Sequence, residues 1–363
     1  MRMPEGADHF RFRISSLRRR LRHCGVDGVI LLNMSNIRYF SGFTGSDGAL
    51  LVSCDRVLLL IDGRYTTQAL RETRGTKIIE YQNKLQDLVR ALRALKLKKI
   101  GLEADVVTLD FYRKLVEGTG EDAFVSLPDE FRMIRACKDK AEIALMRKAA
   151  EIGSSSTLAL LNSIKPGRSE RDLALELEMT AREKGADGLA FEPIVASGEN
   201  AALPHAKPTD RKIKKGDFIV IDFGVKYKGY CSDETCTVAI GKLTARQKNA
   251  YRLVLEAQQR ALERVRDGVA ATDVDRQARA VFGEKYGRYF VHGTGHGVGL
   301  EIHEAPRIGA LSEDVLKAGM TLTVEPGLYF PGRWGIRIED TVLVKKNSCE
   351  KITKMNKELI IIS

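Results

Sequence analysis

Carboxylates stand where strand interiors are expected. The run Phe218 to Val225 (FIVIDFGV) has the composition of a buried strand, yet it contains Asp222. The next run, Tyr230 to Ile240 (YCSDETCTVAI), carries Asp233 and Glu234. Further on, Thr321 to Tyr329 (TLTVEPGLY) carries Glu325, and Gly335 to Thr341 (GIRIEDT) carries Glu339. A turn centred between Tyr227 and Lys228 sets Asp222 opposite Asp233, and one centred on Gly332 sets Glu325 opposite Glu339. Facing β-carbons lie about 5 Å apart, so like charges there repel unless a proton or a cation sits between them. The competing reading has each acid ending a strand in water. It explains one hairpin more easily than two with matched geometry.

Histidine usage points the same way. The chain has only six, and three lie within Val291 to His303 (VHGTGHGVGLEIH) as His292, His296 and His303, with His205 as a fourth in this half. The glycines of that segment imply tight turns or close backbone approach around something bound. A lone histidine is usually a satisfied polar residue; three beside two pairs of acids favour a metal site. Carboxylates with imidazole suit Mn²⁺, Co²⁺, Zn²⁺ or Fe²⁺, whereas a Ca²⁺ loop would use oxygen alone and structural zinc would use thiolates. Four acids overcharge one divalent ion. Two ions sharing carboxylates would neutralise them and form a hydrolytic centre.

Elements must exist to carry these groups. The first part of the chain alternates short apolar runs (Val29–Leu32, Leu50–Val52, Val57–Ile61, Lys77–Tyr81, Lys99–Leu102) with helical stretches (Ser16–His23, Tyr65–Thr73, Leu85–Leu95, Leu109–Leu115). That alternation predicts a small α/β domain, and without GxGxxG or GxxxxGK[ST] it offers no nucleotide loop. A boundary is expected between Pro128 and Lys138. Beyond it, Lys138–Leu160 has helical spacing, Ser169 with Asp172, Thr244 with Gln247 and Thr272 with Asp275 read as helix caps, and hairpins lie between the helices. Helices with antiparallel hairpins read as α+β.

Composition narrows the class. A chain of 363 residues with 44% apolar and 29% charged residues fits a globular protein of two domains. The longest aliphatic run, Val57–Ile61, is too short to cross a bilayer, so no membrane association is expected. The net charge of +11 is spread over modest clusters such as Arg11–Arg22 and reads as a solvated basic face, with no specific nucleic acid expected. No pair among the six cysteines has CxxC spacing and no signal peptide is evident, so a reducing cytoplasm is expected.

At this point the sequence resembles a known family, the dinuclear pita-bread (creatinase-fold) metallopeptidases, in their Xaa-Pro aminopeptidase and prolidase branch. The carrying motifs, in order, are IDFG at Asp222, SDET at Asp233, HGTGHGVG at His296, TVEPG at Glu325 and RIED at Glu339. Asn36–Ser46 (NIRYFSGFTGS) and Asp62–Tyr65 (DGRY) resemble the N-terminal domain of the same branch. The resemblance implies an α+β pita-bread catalytic domain over 132–363, preceded by a smaller α/β creatinase-type domain over 1–131. The extra domain argues against a methionine aminopeptidase. Creatinase shares the fold but lacks this ligand set.

The resemblance also implies roles. Asp222 would chelate one of two divalent ions, His296 and Glu325 the other, and Asp233 and Glu339 would bridge both, with Mn²⁺ the first candidate. Glu325 resembles the residue that shuttles a proton, while His205, His292 and His303 resemble histidines that contact substrate and stabilise the tetrahedral intermediate. Arg337 resembles an arginine that orients its neighbouring acid, with Tyr329 in the same network. His292 is expected to face the substrate as a hydrogen-bond donor. The implied substrates are short proline-containing peptides, and the implied assembly is a homodimer whose N-terminal domain restricts access. The GFTGS stretch inclines the reading to an Xaa-Pro aminopeptidase, with a strict Xaa-Pro dipeptidase (prolidase) as the alternative. A non-catalytic nucleic-acid or protein binder on the same fold is the remaining possibility; such relatives tend to lose ligands that are all present here.

Overall fold

The computed structural model describes residues 8–127 and 132–363. The chain divides into two compact units, Met1–Arg135 and Ala136–Ser363. The sequence boundary drawn at 131/132 abuts residues 128–131, which lie outside the described residues.

The first unit is an α/β layer structure. Its order is α1 (Asp8–His23), β1 (Gly28–Leu31), α2 (Met34–Ser41), β2 (Ala49–Ser53), β3 (Val57–Ile61), α3 (Thr66–Glu72), β4 (Lys77–Glu80), α4 (Lys84–Leu95), β5 (Ile100–Leu102), α5 (Leu109–Thr119) and β6 (Phe124–Ser126). The strands form one mixed sheet ordered β4-β3-β2-β1-β5-β6. Its central strands are buried along their whole length, which is why they read as unbroken apolar runs. Helix α2 had no counterpart in the periodicity reading. Its ends are nonetheless marked: the Asn33 side chain accepts from the Ser35 and Asn36 N–H groups, and Gly42 closes it at φ 83°. The Asn36 motif is structural within this unit, with its side chain held by buried Glu103 and by Arg135 Nη1 at 2.9 Å.

The second unit is α+β. It continues with α6 (Lys140–Leu161), α7 (Glu170–Glu183), β7 (Gly188–Leu189), β8 (Ile194–Ser197), β9 (Phe218–Phe223), β10 (Val225–Tyr227), β11 (Tyr230–Cys231) and β12 (Glu234–Ile240). Helices α8 (Ala245–Arg264) and α9 (Ala271–Gly287) follow. Then come β13 (Gly295–Gly297), β14 (Glu304–Ile308), β15 (Thr321–Val324), β16 (Gly327–Phe330), β17 (Trp334–Arg337), β18 (Asp340–Val344), β19 (Cys349–Lys351) and β20 (Ile360–Ile362). Two sheets matter for the site, ordered β20-β12-β9-β8 and β14-β13-β15-β18-β19. Ser169 with Asp172 and Thr244 with Gln247 form capping boxes, as expected. The cap at Thr272 is corrected: α9 starts after Ala270 without a side-chain cap, and Asp275 is turned inward, where it accepts from Thr294.

The hairpin geometry is half as expected. Strands β9 and β12 pair with Asp222 opposite Thr235, not Asp233. The reason is the turn: Tyr227 pairs with Tyr230, leaving a two-residue loop of Lys228 (φ 45°) and Gly229 (φ 77°). Successive positive φ values mark a type I′ turn, whose twist suits a hairpin. Asp233 thus slips two residues along the strand and stays on the same face, because side chains alternate with period two. In the other hairpin Val324 pairs with Asp340 and Gly327 with Arg337. That register sets Glu325 opposite Glu339, the arrangement drawn from the turn at Gly332.

Candidate metal centre

Three strand systems bring the acids to one imidazole. Asp233, His296 and Glu339 each offer a ligand atom within 4.8 Å of the others. His296 Nε2 lies 3.5 Å from Asp233 Oδ2 and 3.4 Å from Glu325 Oε1. Its Nδ1 lies 3.1 Å from the Gly297 carbonyl, which can only accept, so Nδ1 carries the proton. The Nε2 lone pair therefore points at carboxylate oxygens. Acceptor faces acceptor there unless one of the acids is protonated or a cation lies between them.

The carboxylates have the same need. Asp222 Oδ2 accepts from Arg337 Nη2 at 2.5 Å, while its Oδ1 is buried without a hydrogen-bond partner among the described residues. Glu339 Oε2 accepts from Thr235 Oγ1 at 2.6 Å, and Glu325 Oε1 from Thr323 Oγ1 at 3.3 Å. Burial, followed by repulsion from Glu339, Asp222 and Glu325, raises the Asp233 pKa well above the usual carboxylate range. Glu339 is raised too, by burial and then by Glu325 and Asp222, and burial pushes Glu325 up to about 8. Burial also takes His296 down to about 4, so its imidazole is neutral at pH 7 and able to bind a metal. An orphaned oxygen, a lone pair aimed at acids and crowded carboxylates together fit divalent cations.

Backbone geometry holds these groups still. The Glu325 N–H donates to the Thr294 carbonyl (2.8 Å), just before β13, and the Glu339 N–H to the Thr235 carbonyl (3.1 Å) in β12, so each acid is tied to backbone outside its own hairpin. The glycines around His296 serve close approach within the protein. A Cβ on Gly295 would lie 2.0 Å from the Thr323 carbonyl oxygen, and one on Gly297 2.1 Å from that of Ala305. Side-chain-free backbone lets β13 sit against β14 and β15, with His296 projecting between its two glycines.

The other expected residues fall into two groups. Arg337 is a buried hub: beyond Asp222 it reaches Tyr329 Oη at 2.7 Å and the Pro204 carbonyl at 3.0 Å through Nη1. Tyr329 Oη lies 2.9 Å from His292 Nε2, and His292 Nδ1 lies 2.7 Å from the Gly293 carbonyl. That carbonyl accepts from Nδ1–H, so Nε2 accepts from the tyrosine, and His292 has no ring N–H left over. This differs from the expected donor facing substrate; burial, pushing His292 down to about 4, also keeps it neutral. His205 and His303 are exposed. The His303 ring stacks edge-on to His296 at 4.3 Å between centroids, and the nearby His205 helps to disfavour protonation of His292 and His303. Sequence reasoning missed Thr235 and Thr323, which share strand faces with the acids, and Asp275, which anchors Thr294 through its N–H and hydroxyl. Threonine at even spacing from each acid was the available signal.

Known proteins resemble this chain in sequence and fold. Residues 144–346 match the model of metallopeptidase family M24, and residues 13–137 match the Creatinase/Prolidase N-terminal domain. An Xaa-Pro dipeptidase of Pyrococcus horikoshii is 36% identical over 337 residues, spanning 92% of this chain and 95% of that protein. The solved Xaa-Pro dipeptidase from Bacillus anthracis matches with a TM-score of 0.94 at 39% identity, over 97% of this chain and 100% of that one. The X-Pro aminopeptidase from Thermotoga maritima matches with a TM-score of 0.88 at 38% identity, over 96% and 100%. Together with the acid cluster around His296, these matches mean that the chain belongs to metallopeptidase family M24, as a metal-dependent peptidase of the pita-bread fold with a creatinase/prolidase N-terminal domain.

Proposed function

We propose that the protein hydrolyses the bond between an N-terminal residue and a following proline in short peptides, acting as an Xaa-Pro aminopeptidase. Two divalent ions would be held by Asp222, Asp233, His296, Glu325 and Glu339, with Mn²⁺ ahead of Co²⁺, Zn²⁺ and Fe²⁺. The observation that carries the reading is the neutral His296 imidazole aimed at Asp233 and Glu325 inside the acid cluster. The proline preference is supported by the names of the relatives at 36 to 39% identity.

When bound, the ions supply Lewis acidity and a nucleophile at neutral pH. The chain supplies the rest. Glu325, the acid 3.4 Å from the His296 imidazole, is the group that takes up a proton and passes it on in this reading. The proline nitrogen is its destination, since a tertiary amide nitrogen leaves poorly until protonated. The exposed imidazoles of His205 and His303 are the groups in this set open to substrate and to the developing oxyanion. His292, Tyr329 and Arg337 form a hydrogen-bonded chain that fixes the Asp222 carboxylate.

A strict Xaa-Pro dipeptidase is the second reading, favoured by the names of the Pyrococcus and Bacillus anthracis relatives. A Mn²⁺-loaded assay of Xaa-Pro, Xaa-Pro-Xaa and Xaa-Ala peptides separates the readings. Cleavage of the tripeptide supports the aminopeptidase, and cleavage of the dipeptide alone supports the dipeptidase. Equal turnover of the alanine control would overturn both. We further propose a homodimer, testable by light scattering, and a cytoplasmic location. Six free cysteines suit a reducing compartment, and among the described residues no helix is long and apolar enough to cross a membrane.

A further inference from the structure

Strand side chains alternate between faces, so the residue after each shared acid points away from the metals. Those residues are also acids. Glu234 follows Asp233, Asp340 follows Glu339, and both are buried, at 6% and 1% exposure. The reverse of the metal cluster therefore carries a second pair of carboxylates on the same two strands. This pair has a protein cation. Lys357 Nζ lies 2.7 Å from Glu234 Oε1 and 3.6 Å from Asp340 Oδ1, with its own side chain 5% exposed. The segment around it completes the seal: the Met355 N–H donates to Glu234 Oε1 (2.9 Å), Thr353 Oγ1 to Asp340 Oδ1 (2.8 Å), and Lys351 Nζ pairs with Asp340 Oδ2 (2.7 Å).

We propose that Lys357 is a positioning residue for the metal centre: a fixed ammonium that ties β12 to β18 from behind and thereby sets the spacing of Asp233 and Glu339. The inference rests on the reading of those two acids as shared ligands. A buried ammonium between two carboxylates cannot drift without leaving charge unpaired in the interior, so it holds both strands at one separation. Ligands one residue removed from that clamp inherit its precision, as metal ligands commonly do from the groups behind them. The two faces thus use opposite means. One acid pair is neutralised by lysine and rigid; the other is left for cations.

The test is direct Mn²⁺ binding to the full chain by chelator competition, with turnover measured alongside. Lys357→Met should bind Mn²⁺ roughly tenfold or more weakly, the range seen when groups supporting ligands are removed. Turnover should recover substantially at saturating Mn²⁺, and Lys357→Arg should restore part of the affinity. Should Lys357→Met fail to fold, Glu234→Gln with Lys357→Met removes the unpaired charge, and this double variant should still bind Mn²⁺ several-fold more weakly than the wild type. Wild-type affinity in either folded variant, whatever its melting temperature, overturns the proposal. Asp233→Asn separates the two failures. If it loses Mn²⁺ while the Lys357 variants do not, the ligand reading stands and the clamp falls. If it binds as the wild type does, the ligand reading falls and the clamp with it.

Discussion

The two hairpins of the metal centre present acids by different means. In the first, β9 and β12 stay paired up to Glu234, and Asp222 faces Thr235 across an intact ladder. Its partner acid, Asp233, lies in the short break between β11 and β12. In the second, the ladder itself opens at the acids, between Val324↔Asp340 and Gly327↔Arg337, and the Glu325 and Glu339 N–H groups are spent on Thr294 and Thr235, outside the hairpin. Arg337, from the second hairpin, reaches across to Asp222 in the first and joins them. The comparison teaches that a metal site needs side-chain parity more than register. A slip of two residues leaves an acid on the working face; a slip of one would remove it.

The largest effect should separate shared from unshared acids. Glu339→Ala or Asp233→Ala should cost both ions and, since such ions supply several kcal/mol, on the order of 10³-fold or more in turnover. Asp222→Asn should lose mainly one. Metal analysis beside kcat checks this, and a Glu339→Ala enzyme that keeps both ions would break the scheme.

Next comes the chain that links the hairpins. His292→Ala should fold, keep its metals and lose roughly 10- to 100-fold in kcat, the scale of removing a group that supports a metal ligand. Because His292 accepts from Tyr329, Tyr329→Phe should show a similar loss. A much larger effect for His292→Ala than for Tyr329→Phe would mean that the imidazole acts on substrate directly.

A smaller effect is expected in the metal-free protein as pH changes. Glu325, raised from 4.5 to about 8, keeps its proton in the native state where the unfolded chain releases it. Stability should therefore fall as pH rises through that window, with Asp233 and Glu339 acting in the same direction. The two imidazoles lowered from 6.5 to about 4 oppose this at acid pH, where the unfolded chain binds the extra protons. Between pH 6.5 and 8 the acids of the centre act without that opposition, and the melting temperature of chelator-treated protein should decline there. A flat profile would argue against the crowding, and Mn²⁺ should abolish the decline.

The smallest effect tests the turn that sets the first register. Lys228 occupies the left-handed region at φ 45°, ahead of Gly229. Lys228→Asn creates the Asn-Gly pair preferred there and should add up to about 1 kcal/mol of stability with no change in urea m-value. A changed m-value would show that more than the turn has moved.

Legibility in the sequence followed local marking. Pro331 and Gly332 advertise the second turn, so the facing of Glu325 and Glu339 could be read directly. The first turn has lysine where asparagine would have announced it, and its centre was drawn one residue early. Helix α2 carried its cap signals at Asn33 and Gly42 but was too short for periodicity to reveal. Asp275 imitated a cap because spacing alone cannot tell an acid that closes a helix from one serving a distant threonine. The engagement of His292 with Tyr329, and everything about Lys357, depended on residues far apart in the chain. No local pattern encodes such contacts.

That distance has a consequence for how the enzyme comes into being. Thr235 meets Glu339 across 104 positions, and Glu234 meets Lys357 across 123. Contacts of such separation form late, after loop closure has already been met by nearer ones. During synthesis the chain emerges from its N-terminal side, so strands β9 and β12 exist long before their partners do. A growing polypeptide can display Asp222 and Asp233, but it has no enclosed centre until residue 357 has been added and drawn in. The enclosed centre is thus a late product of synthesis, assembled only after both hairpins and the segment around Lys357 have emerged.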